Sequence, residues 1–192
     1  MNHSLPNMAG IYRFHLAEGR VATRERALQV VIPASALLQL QSELDVDQLV
    51  NFGAALGEEV AGRLLQEIPD PRTASAAVVV DHLGAQLAVM GLGSLSVEFW
   101  GEAMVFVLVG CPLLTPAGSN QPGESVMSGL LQAVLLRTFG QAARVLPLQK
   151  QQQTTRWLVC NETVAGLLDE WVNIGLGAAE VLTRLNGLED AS

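Results

Sequence analysis

The chain has 192 residues, of which 49% are apolar and only 16% charged, and it carries a net charge of −8 at neutral pH. That length suits one domain with a sizeable core, and the acidic surplus repels phosphate backbones and anionic membrane surfaces, which excludes nucleic acid as a partner. The charged share lies below the roughly 25% usual for soluble domains, so part of the apolar surface is expected to lie under a partner.

Met1 to Met8 has neither the basic start nor the apolar block of a signal peptide. Ile11 to Leu16 and Val21 to Thr23 read as a short strand pair around Ala17-Glu18-Gly19. Leu28 to Ile32 is an apolar, β-branched segment that Pro33 ends, and Pro33-Ala34-Ser35 opens a short helix to about Leu44. Residues 1–27 are therefore taken as an arm with a strand pair, and residues 28–192 as a single α+β domain.

Asp45 or Asp47 caps the next helix, which runs to about Glu67 and carries Leu49, Phe52, Leu56, Val60 and Leu64 on one face. Gly53, Gly57 and Ala61 form a second line at steps of four. Each glycine costs a helix about 1 kcal/mol against alanine, so the line implies close approach of another element. That element is either internal or a helix across a dimer. Ile68-Pro69-Asp70-Pro71 breaks the chain. Ser75 to Met90 has local strand character at Val78-Val79-Val80, but its length and helical spacing predict a helix stopped by Gly91.

Leu95, Val97 and Phe99 alternate with polar residues, the mark of a half-buried strand. Gly101-Glu102 turns it back into Ala103 to Val109, apolar at nearly every position and so covered on both faces. Residues 103–123 carry no charge, yet the prolines and the Ser119-Asn120-Gln121 run exclude a membrane span. After that Pro/Gly loop, Ser125 to Phe139 is a helix apolar on most sides, either buried or shared with a partner. Ala143 to Leu148 and Thr155 to Cys160 form a closing strand pair. Asn161 caps a helix through Val172, and a last short helix reaches Leu185.

Little in this pattern carries chemistry. Gly91-Leu92-Gly93-Ser94 follows a helix and precedes a strand, the reverse of a dinucleotide-binding turn. Asp81 and His82 point about 100° apart on a helix and cannot orient one another. Cys111 and Cys160 have no histidine near them in sequence, which points to buried apolar packing, a reducing cytoplasm and no zinc site; Cys111 is the better candidate for accessibility. No cofactor and no catalytic residue is assigned. Trp100 at the hairpin end is expected to be partly exposed at an interface, and Trp157 to be core.

The chain resembles the 4-vinyl-reductase-type domain, a fold shared with the small subunits of the TRAPP tethering complex. The likeness lies in Leu49-Val50-Asn51-Phe52-Gly53-Ala54-Ala55-Leu56-Gly57-Glu58-Glu59, in Val89-Met90-Gly91-Leu92-Gly93 leading to Leu95–Trp100, in Ser128-Gly129-Leu130-Leu131-Gln132-Ala133-Val134, and in the closing Arg156-Trp157-Leu158-Val159. It spans about Leu28 to Cys160. The resemblance implies an antiparallel sheet of about four strands against helices, dimerisation through helices, and an apolar cavity for an acyl chain or small aromatic. Lys150, Gln151 and Thr155 stand where sensor-type relatives place cysteines, so their metal site is not expected.

Three functions follow as expectations. The first is a non-enzymatic, cytoplasmic, homodimeric regulatory or scaffold module that binds another protein through apolar helix faces, with Gly53, Gly57, Ala61 and Trp100 as interface candidates. The second is a sensor whose cavity is lined by Val105, Val107, Leu131 and Leu135. The third is a tetrapyrrole-related enzyme, suggested by fold analogy alone.

Overall fold

A computed structural model of the protein describes residues 12–15, 17, 20–23, 28–100, 103–114, 122–173, 180, 181 and 183–185. The turn at Gly101-Glu102, the loop Thr115 to Gln121, His3 in the N-terminal tail and the Gly177-Ala178-Ala179 turn lie outside these residues.

Three short strands, β1 (Tyr12–His15), β2 (Arg20–Thr23) and β3 (Leu28–Gln29), form an antiparallel sheet in that order, so pairing crosses position 28. Helices α1 (Ala34–Ser42) and α2 (Val46–Glu67) follow. The α2 boundary is set locally. Asp45 Oδ1 accepts the Gln48 N–H at 2.8 Å, and Gln48 Oε1 accepts the Asp45 N–H at 3.1 Å, a reciprocal capping box.

After the proline break, Ser75 caps α3 (Ala76–Val89), so helical spacing prevails over the β-branched run at 78–80. At its other end the Leu92 N–H reaches the Leu87 carbonyl at 2.9 Å and Gly91 takes φ +74°, a left-handed stop that suits glycine. Strands β4 (Ser94–Trp100) and β5 (Ala103–Val109) then form a hairpin, α4 (Pro122–Phe139) crosses, and β6 (Arg144–Gln151) and β7 (Thr154–Cys160) form a second hairpin before α5 (Glu162–Asn173). Both strands of the closing hairpin are longer than their apolar cores suggest. The ladder continues through polar Gln149 to Gln151, and Gln152, at φ 52°, makes the turn.

The architecture is α+β: one four-stranded antiparallel sheet, in the order β4-β5-β7-β6, packed against helices. Alternation divides its side chains between two faces. Leu95, Phe106, Leu108, Val145 and Trp157 face the main core with α2, α3 and α4. Val105 and Leu158 face a smaller core with Leu168 and Trp171 of α5. Burial of Val105, Phe106, Val107 and Leu108 follows from cover on both sides.

The all-round apolar character of α4 is accounted for within the chain, because α2 packs on one side and the sheet on the other. The line of Gly53, Gly57 and Ala61 faces α4 of the same chain. A β-carbon at Gly53 would run into the Val126 carbonyl, one at Gly57 into the Leu130 carbonyl, and one at Gly129 into the Val50 carbonyl. Ala61 has no exposed surface. The expectation of a dimer contact through these three residues is therefore corrected: their small size serves an internal helix crossing. Among the described residues, no helix is long and apolar enough to cross a membrane.

Candidate ligand pocket

A cavity of about 320 Å³ opens between α3, the C-terminal half of α4 and the end of the sheet near the β4–β5 turn. Its volume is at the small end of the roughly 300–1,000 Å³ common for ligand pockets. The depth is formed by buried apolar groups: Val79, Val80 and Leu83 from α3, Phe106 from β5, and Val134 and Leu135 from α4. Helical spacing brings Val79, Val80 and Leu83 to one side of α3.

The mouth is different. It is bordered by Ala76 at the start of α3, Phe99 at the end of β4, Phe139 at the end of α4, and Gln141 beyond it. Phe99 is 60% exposed, an unusual position for a large aromatic unless something covers it. Gln141 is the one polar side chain among the described lining residues, and it is exposed. The depth therefore offers dispersion and hydrophobic burial and no charge, nucleophile or proton donor. The buried polar side chains of Thr138 and Trp157, on the same elements, are outside the lining.

Sheet register decides which strand residues reach this space. Val97 lies opposite Phe106, and Phe99 opposite Met104, so the apolar set of β4 shares a face with Met104 and Phe106. Val105 and Val107 project to the other face, opposite Glu98 and Ser96. Of the four cavity residues named from sequence, Leu135 lines the pocket. Leu131 is fully buried in the core beyond it. The missed lining residues had a readable signal. With Trp100 opposite Ala103, the period of two puts Met104 and Phe106 on the face of Phe99 and Val97.

The opposite face carries a polar cluster. The Trp100 indole N–H donates to Glu98 Oε2 at 2.9 Å, Arg156 Nε donates to the same oxygen at 3.3 Å, and the guanidinium sits 5.8 Å from the Trp100 ring centre. Trp100 is thus half-buried and held within its own chain. Trp171 packs into the α5 core with the Arg184 guanidinium 5.6 Å from its ring centre.

Other candidates stand apart from the pocket. His82 is part-buried, with Nδ1 2.9 Å from the Val78 carbonyl and Nε2 3.9 Å from Glu67 at the end of α2. Cys111 is only 6% exposed, against the expectation that it would be the accessible cysteine, because its side chain packs into the main core. Burial pushes its thiol pKa up, partly countered by hydrogen bonds with the backbone of Leu113 and Leu114. Cys160 is the more exposed of the two. Among the described residues, no three of His, Cys, Asp and Glu gather as a group able to hold a metal ion.

No family model and no curated protein matches this sequence. Among solved structures, the chain is similar to the phenol-responsive sensory domain of the transcription activator PoxR, determined with phenol. The two share 14% identity at a TM-score of 0.60, over 81% of this chain and 87% of that one. At that identity the likeness is one of fold, and it covers most of both chains.

Proposed function

We propose that the protein is a sensor module that holds a small apolar molecule between α3, α4 and the sheet. The observation that carries this reading is the 320 Å³ pocket with a wholly apolar depth. The likeness of fold to a phenol-responsive sensory domain supports it. We read the module as non-catalytic, since the described lining holds no group suited to acid–base or nucleophilic work. Placement with the 4-vinyl-reductase-type domains, and in the cytoplasm, belongs to the same proposal and rests on element order and on cysteine usage.

The test is calorimetric titration with a panel of toluene, naphthalene and n-octanol, repeated on Leu135→Trp. At least one compound binds the wild type, and the indole filling the pocket abolishes that binding while the cooperative thermal melt is retained. If no compound of the panel binds folded protein more tightly than about 1 mM, the sensor reading fails.

A second reading, a self-associating scaffold, has one observation in its favour. Val30, Val31 and Ile32, next to the edge strand β3, are 81%, 70% and 49% exposed. Sedimentation equilibrium at micromolar concentration decides it: a dimer supports the reading and a monomer removes it.

A further inference from the structure

The pocket is asymmetric in chemistry along its depth, and that asymmetry constrains what can occupy it. Its floor is Val79, Val80, Leu83, Phe106, Val134 and Leu135, each no more than 8% exposed. The backbone amides of these residues belong to α3, β5 and α4, where helix and ladder bonding engages them. Polar atoms return at the mouth, in the exposed Gln141 side chain and the adjoining helix ends. A hydroxyl carried to the floor loses its water without gaining a partner, a penalty of about 1–3 kcal/mol. The same hydroxyl at the mouth keeps both water and Gln141 within reach.

Size adds a second constraint. A sealed apolar cavity of about 150 Å³ takes one benzene ring. This pocket, at about 320 Å³, has room for roughly twice that bulk.

Resting on the sensor reading above, we propose that the pocket binds its ligand in a single orientation, apolar end first. Its ligand class is a hydrocarbon body of two-ring bulk, or a chain of similar volume, with at most one polar group. That group sits at the mouth beside Gln141 and Phe99. Gln141 is then a specificity-determining residue, and molecules with polar groups at both ends are rejected.

The experiment compares n-octanol with the α,ω-octanediol of the same chain length on the intact protein, by calorimetry and by intermolecular NOEs from carbon-labelled protein. The diol binds at least about tenfold more weakly, the loss expected for one unpaired buried hydroxyl. In the octanol complex the terminal methyl shows NOEs to Val79, Leu83 and Phe106, and the hydroxyl-bearing carbon to Phe99 and Gln141. A Val134→Thr variant, which adds a hydroxyl to the floor at nearly constant volume, narrows the gap between the two ligands. Equal affinities for the two, or NOEs placing the hydroxyl-bearing carbon at the floor, overturn the single-orientation proposal; the latter would mean that Thr138 or Trp157 reaches through the wall. Both results still leave a ligand bound, so the sensor reading survives them. Failure of the whole panel to bind removes that reading, and the orientation proposal with it.

Discussion

Gly57 of α2 lies so close to the Leu130 carbonyl of α4 that no β-carbon fits between the two helices. The contact joins an otherwise costly residue to the helix that forms one wall of the pocket. Helix propensity alone would favour alanine at position 57 by about 1 kcal/mol. Because the obstacle is backbone on both sides, the helices must separate, and Gly57→Ala is expected to destabilise the fold by about 1–3 kcal/mol. Gly62, further along α2, has open space where a β-carbon would stand, with nothing within 4 Å. Gly62→Ala is therefore expected to stabilise by up to about 1 kcal/mol. Thermal melts of the two variants should shift in opposite directions. Equal shifts would contradict the close crossing.

The two cysteines are expected to differ in reactivity. Cys111 is buried with a raised thiol pKa, so little thiolate forms there at neutral pH and reagents cannot reach it. Peptide mass mapping after brief alkylation of native protein should find Cys160 modified first. Cys111 should react at a comparable rate only after denaturation.

Glu124, in the first turn of α4, is expected to give the fold a pH dependence. Burial raises its carboxyl pKa, and the Lys150 ammonium 3.6 Å away only partly opposes that shift. With the folded value above the unfolded one, the folded state holds more protons in the interval between them. Stability from this group is then largest at low pH and falls as pH rises through the raised value. Urea denaturation across the mildly acidic range should show that slope in the wild type and a flatter one in Glu124→Gln. An unchanged slope would assign the dependence to other groups.

Removal of the α2 cap tests how much of the helix boundary is local. Asp45→Ala takes away the acceptor for the Gln48 N–H and should cost about 1 kcal/mol. Asp45→Asn retains an oxygen acceptor and should cost much less. Denaturant midpoints of the two variants measure the difference. If both lose equally, charge rather than the hydrogen bond holds the end.

Local structure was legible in the sequence where short-range physics governs. Asp45 and Asn161 start their helices as side-chain caps, and Gly91 ends α3 with a positive φ. Polar–apolar alternation in β4 marks its two faces independently of any partner strand. These signals depend on neighbours within a few residues, so the residues themselves contain them.

The pocket and the helix crossing belong to the tertiary structure. In β5 both alternating sets, Met104/Phe106/Leu108 and Val105/Val107/Val109, are apolar, so a period of two cannot tell one face from the other. Only pairing with β4 orients Phe106 toward α4 and Val105 toward α5. In α4 the apolar residues surround the axis and the helix alone has no preferred inward side. Its contacts with Gly53 and Gly57 on one flank, and with the sheet on the other, assign one. The order of residues specified the elements and the four-stranded α+β pattern. Which faces meet was left to packing, because apolar surface is attracted to apolar surface without direction, and only backbone pairing and close steric fit supply one.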